Sequence, residues 1–154
     1  MKKLLLACTV LFLSIVSYGQ TTDDYLEVSR SVLKTEKKAA ISEVMELTEA
    51  ESEVFWNLYN EYNDKLYVIQ NKRISAIKEF AANFDNLTDE KTDEIWNLVL
   101  DFKSESVKLE RQYYKKFKKV LPMGKVAKYF QAENKIEALI TANLAIEIPM
   151  IDQK

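Results

Sequence analysis

From Thr48 to Leu121 the chain carries neither glycine nor proline, and apolar residues recur at helical spacing almost throughout. Few folds are open to such a stretch. Glycine supplies the left-handed backbone of tight turns and proline ends helices, so without them long helices are the default. The whole sequence holds only two of each in 154 residues, while Ala, Leu, Glu and Lys abound. An all-α protein is expected.

Thr48 predicts an N-cap, because its hydroxyl can accept from a free backbone N–H of the first turn. Glu51, three residues on, can accept from the Thr48 N–H, so the entry Leu47-Thr48-Glu49-Ala50-Glu51 reads as a capping box. Phe55, Tyr59, Tyr62, Leu66 and Ile69 then share one helical face, and the stripe resumes at Ile74, Ile77, Ala81 and Phe84. Asp85-Asn86 interrupts it, as short polar turn formers do. Leu87-Thr88 restarts it, with Thr88 as a second N-cap and Asp89 and Glu90 where the helix dipole favours negative charge. The second stripe is Ile95, Val99, Phe102, Ser106, Leu109, Tyr113, Phe117 and Val120. Pro122 stops the run near Leu121. So short a connection predicts a long antiparallel helical hairpin, with Phe84 near Thr88, Tyr59 near Tyr113 and Phe55 near Phe117. Each helix would be ~50 Å long, too slender to hide its own apolar faces. Large exposed apolar patches mark contact surfaces, so a dimer interface, a client surface or both are expected.

Shorter flanking helices are expected at each end. Leu33 to Glu46 predicts one, with Leu33, Ala40, Ile41, Val44 and Leu47 buried and Lys34, Lys37 and Lys38 wet. Residues 20–32 form a flexible segment before it, and residues 33–151 a single all-α domain. Lys125 to Ala145 predicts the C-terminal helix, with Tyr129, Ala132, Ile136, Leu139, Ile140 and Asn143 on one face. Pro149 ends it, and the isoleucines between Ile146 and Ile151 are expected to pack back across it.

The N-terminus has the anatomy of a secretory signal. Lys2-Lys3 precede an apolar run from Leu4 to Val16, and Ser17-Tyr18-Gly19 offers small residues for cleavage after Gly19. The run is shorter than the ~20 residues that span a bilayer. Leu5-Leu6-Ala7-Cys8 resembles a lipobox, yet most of the apolar stretch follows Cys8, so a cleaved signal for residues 1–19 is preferred. Cleavage removes the chain's one cysteine. It leaves 20 of the 22 Lys and Arg against all 24 acids, a formal charge of −4. Export and that balance argue against nucleic-acid binding.

Histidine is absent, which removes the usual general base and the usual zinc ligand. The acidic turn Asp85, Asp89, Glu90, Asp93 and Glu94 lacks the spacing of a calcium loop and reads as a solvated helix N-terminus. No phosphate loop or nucleophile motif occurs. No cofactor, no metal and no enzymatic activity are expected.

A basic window is the main charged feature. Arg111, Lys115, Lys116, Lys118, Lys119, Lys125 and Lys128 are interleaved with Tyr113, Tyr114, Phe117, Tyr129 and Phe130, and no acid intervenes. An anionic membrane surface and acidic segments of a client protein would both fit. Internal balance would fit too, because the register brings Glu49, Glu51 and Glu53 close to Lys118. The candidate binding residues are Arg111, Tyr114, Lys115, Lys118, Lys119, Lys125, Lys128 and Tyr129.

The entries Leu47-Thr48-Glu49-Ala50-Glu51 and Leu87-Thr88-Asp89-Glu90-Lys91 resemble the Leu-Thr-x-x-Gln motifs of the Spy/CpxP periplasmic proteins. Glu51 keeps the capping chemistry of the motif's Gln, and Lys91 loses it. Lys34 to Lys38, Tyr113 to Leu121 and Tyr129 to Ile136 are similar to a set of exported bacterial proteins of this layout. The resemblance implies a Spy-like, cradle-shaped homodimer that holds unfolded clients on a concave face without ATP, as a chaperone in the envelope stress response. CpxP-like members also damp a stress sensor, so an accessory subunit on a signalling protein's extracytoplasmic domain is the alternative, alongside an anionic membrane-surface binder. A periplasmic or secreted protein that binds unfolded or envelope proteins is the expectation.

Overall fold

The computed structural model describes residues 22–151, with side-chain surroundings from Arg30 onward. The expected signal segment, its cleavage point at Gly19 and Cys8 lie outside the described residues. Every regular element among the described residues is helical, so the fold is all-α. The chain divides into two compact units, one ending at Ala40 and the other beginning at Ile41.

The described part of the first unit is a single helix. Helix α1 spans Thr22–Met45 and so begins well before Leu33, where the firm helix was expected. No glycine or proline stands between Thr22 and Met45, and helix formers dominate the stretch. Leu33 was expected to be buried, but it and Val32 are exposed.

The second unit opens with the last turn of α1, where Ile41 and Met45 are fully buried. They are four residues apart and stack on one face. Ala40 and Val44, also expected inside, are exposed. The helix ends at Met45, and Glu46 takes a left-handed backbone with φ 46°. The chain turns away there, so only a narrow stripe of the last turn reaches the core. Leu47 packs against that core from the turn.

Helix α2, Glu49–Asn83, begins with the predicted capping box. The Glu51 N–H donates to Thr48 Oγ1 at 3.4 Å, and the Thr48 N–H donates to Glu51 Oε2 at 2.9 Å. A 3-10 turn at Phe84–Asn86 follows, then α3 at Asp89–Phe117. Thr88 caps α3 by accepting from the Lys91 N–H at 3.2 Å. After a turn at 118–121, helix α4 runs from Met123 to Glu147.

Side-chain contacts between α2 and α3 run in opposite chain directions. Lys91 meets Glu79 at 3.1 Å, Lys72 meets Glu105 at 2.7 Å, and Lys116 meets Glu61 at 2.9 Å. Phe55 stands 5.5 Å from Phe117, ring to ring. The ring that meets Tyr113 is Tyr62, at 5.3 Å; Tyr59, expected there, packs on Phe55, Trp56 and Tyr129 instead. The last helix supplies the reason. Helix α4 inserts Tyr129 between Phe55 and Phe117, at 5.2 and 4.8 Å, and Tyr59 turns toward it.

The core therefore gathers at one end, where α2 starts, α3 ends and α4 starts. Its buried members include Phe55, Tyr59, Tyr113, Phe117, Val126 and Tyr129. Each fully buried aromatic there is worth about 1.5–3 kcal/mol of burial. Val120 was expected in the stripe but is exposed, and Leu121 is buried in its stead, because helical phase is lost after Phe117. The expected α4 face keeps Tyr129, Ala132 and Ile136. Leu139 is 67% exposed, and Ile146 and Ile151 are exposed rather than folded back.

Candidate binding surface

The basic window splits in two. On its inner side the lysines are engaged. Lys116 Nζ sits on the Glu61 carboxylate and 4.4 Å above the Tyr113 ring. Lys125 Nζ reaches Glu51 Oε2 at 2.5 Å and the Glu46 carbonyl at 2.9 Å, and Lys128 reaches the Glu46 carboxylate at 3.1 Å. Lys125 holds the Glu51 carboxyl down to about 2, helped by the Thr48 N–H. Lys116 does the same for Glu61, with Tyr113 and Lys65 adding to it, again to about 2. The acids that balance the window are thus Glu46, Glu51 and Glu61. Lys118, expected beside Glu49, Glu51 and Glu53, lies 5.2 Å over the Tyr114 ring.

On the outer side, Arg111, Lys115, Lys118 and Lys119 are exposed on α3 and the turn after it. Among the described residues no carboxylate lies within ion-pair reach of any of these four. Tyr114 is half-exposed beside them, its ring edge-on to Phe130 at 5.6 Å.

Tyr129 is a correction to the predicted site. It is 0% exposed, enclosed by Phe55, Phe117 and Phe130, and can meet no ligand. It belongs to the α4 face that spacing had already grouped with Ala132 and Ile136, and that face packs on Phe55 and Phe117. Of the predicted residues, Arg111, Tyr114, Lys115, Lys118 and Lys119 are exposed near the end of α3 and in the turn after it. Lys125 and Lys128 are spent on internal pairs. Leu47, Thr48, Glu51, Leu87 and Thr88 form the two helix entries and belong to the scaffold.

The apolar surface lies elsewhere along the pair. Toward the Phe84–Asn86 turn the described residues of α2 and α3 bury only Ala76 and Ile95 beyond the main core. Val68 on α2 is 64% exposed, and Trp96, Leu100 and Val107 on α3 are 60%, 50% and 55% exposed. Leu139 and Ile146 on α4 add to this. Trp96, Leu100, Val107 and Tyr114 recur at helical spacing, which gives α3 a second apolar stripe beside the buried one. A spacing count over both faces of α3 would have found it.

One buried charge was also missed. Glu133 of α4 is buried among aromatic side chains. Burial, and then the Glu133 carboxylate, push the hydroxyls of Tyr59, Tyr62 and Tyr129 well above the usual phenol range. Among the described residues no group of three or more potential ligands could hold a metal, and no helix is long and apolar enough to cross a membrane. No family model, curated protein or solved structure matches the chain.

Proposed function

We propose that this protein works outside the cytoplasm as an ATP-independent holding chaperone of the Spy/CpxP type, taking unfolded or envelope proteins onto an amphipathic helical surface. One observation carries the reading. Val68, Trp96, Leu100 and Leu139, large apolar side chains on three helices, are each half or more exposed. Apolar side chains in that number and spread mark a contact surface. A surface spread over several helices suits chains of varied sequence held weakly. The exposed cations at Arg111, Lys115, Lys118 and Lys119 would speed encounter with acidic clients.

The test is aggregation of a reduced, unfolding client followed by light scattering. Suppression at near-equimolar ratio is expected, and Val68→Glu with Leu139→Glu should weaken it. Unaltered aggregation under a large excess of this protein removes the reading. The cation cluster favours one second reading, an accessory subunit on an acidic extracytoplasmic domain. That reading predicts one specific partner in a pull-down and no general holding activity.

A further inference from the structure

The outer stripe of α3 is graded in charge along its length. Its apolar members, Trp96, Leu100, Val107 and Tyr114, are all exposed. At the start of the helix Asp89 and Asp93 share their helical phase and are exposed too. Asp93 accepts from the Asn97 side-chain amide at 3.0 Å. Neither carboxylate has an ion pair among the described residues, and the one nearby cation, Lys91, is engaged by Glu79 and Glu94. At the far end Arg111, Lys115 and Lys118 are exposed and likewise lack an ion pair there. Between the ends, Lys103 and Glu110 contribute opposite charges. From Asp93 to Lys115 the stripe rises ~33 Å, a length that an extended chain spans in about ten residues.

We infer, building on the holding role proposed above, that the clients taken onto α3 are extended segments of about ten apolar and neutral residues with basic side chains at one end and acidic ones at the other. The basic end lies against Asp89 and Asp93, the acidic end against Arg111, Lys115 and Lys118, and the apolar middle covers Leu100 and Val107. An apolar stripe by itself would take any greasy segment. The graded charge narrows the choice, because specificity comes from repulsion as well as attraction. A segment that is acidic throughout gains at one end and is repelled at the other, and a flat anionic membrane meets the same conflict. A segment of opposed ends gains at both. Each exposed pair contributes little, but several act together. The order of charge along the client therefore matters more than its net charge. Either chain direction serves, since side chains and not the backbone set the order.

The test is fluorescence anisotropy of two labelled peptides titrated with the protein recovered from cells that express the full chain. Both peptides have the same composition, no net charge and the same apolar middle. One carries a run of Lys at one end and a run of Asp at the other. The second alternates Lys and Asp at both ends. The first should bind about tenfold more tightly, the sum of several exposed pairs. Lys115→Glu/Lys118→Glu should erase that ratio with the helical circular dichroism unchanged. Adding Asp89→Lys/Asp93→Lys to the same chain should bring the ratio back, with the peptide lying in the opposite direction, a recovery that a misfolded variant cannot show. Equal affinity for the two peptides, no recovery in the combined variant, or displacement of the first peptide by phosphatidylglycerol vesicles or by self-association of the protein would overturn the inference. Holding is read separately, by light scattering. Suppressed aggregation with equal peptide affinities sinks the charge order and spares the chaperone, and charge-ordered peptide binding without suppression does the reverse.

Discussion

Lys125 Nζ and Thr48 N–H converge on one oxygen, Glu51 Oε2, at 2.5 and 2.9 Å. The carboxylate that closes the capping box of α2 is therefore also the anchor for the first turn of α4. A local helix signal and a tertiary contact share one atom.

Acid should release this anchor. The Glu51 and Glu61 carboxyls titrate at about 2 when folded, against 4.5 ordinarily. A carboxyl depressed on folding stabilises the native state above its ordinary value, and that contribution is lost as pH falls toward the folded value. The melting temperature should thus fall between about pH 4.5 and 2. In Glu51→Gln/Glu61→Gln the drop should be shallower, as read by circular dichroism melts across that range.

Alkali should act on the tyrosines in the opposite sense. Tyr59, Tyr62 and Tyr129 are raised by burial and by Glu133. Stability is complete below the ordinary phenol value of 10.0 and is lost as pH rises above it. Absorbance at the tyrosinate band should show these three ionising together with helix loss.

The packed end and the turn end should differ in sensitivity. Phe55 is fully buried against Trp56, Tyr59, Phe117 and Tyr129, so Phe55→Ala should cost about 3–5 kcal/mol. Phe84 is exposed and touches Phe80, so Phe84→Ala should cost less than about 1 kcal/mol. Urea denaturation of both variants gives the comparison.

Glu46 should be improvable. Its left-handed φ of 46° strains any residue with a side chain. Glu46→Gly removes that strain and loses only the exposed pair with Lys128. Stability should rise by about 0.5–1 kcal/mol in the same urea assay. A fall would mean that the Lys128 pair outweighs the backbone.

Arg73 should govern the far half of α4. Its guanidinium donates to Glu137 at 2.6 Å and Thr141 at 3.2 Å and lies 5.3 Å over the Phe102 ring. Lysine cannot make that fork. Both Arg73→Ala and Arg73→Lys should speed amide exchange from residue 137 onward and leave the segment around Tyr129 protected.

The sequence by itself determined the helices, their caps and one edge of each stripe. Thr48 with Glu51, Thr88, the Asp85-Asn86 break and Pro122 act within a turn or two of chain, where bonding depends on neighbours in sequence. Phe55, Tyr62, Tyr113 and Phe117 were legible as core because a helical period fixes which residues share a face. Which faces would find a partner was decided only by the tertiary structure. Val44 and Leu139 carry the same apolar signal as Ile41 and Ile136, yet are exposed, because the turn at Glu46 and the limited reach of α4 leave no described residue to cover them. Lys125 read as surface and was drawn onto Glu51 and the Glu46 carbonyl, while Tyr129, read both as part of the apolar α4 face and as a candidate contact, is core. The outer stripe of α3 is the converse: apolar by sequence, left bare by a two-helix stretch with too few helices to enclose it. Periodicity assigns residues to a face, but burial needs a second surface, and that is set by where the chain turns.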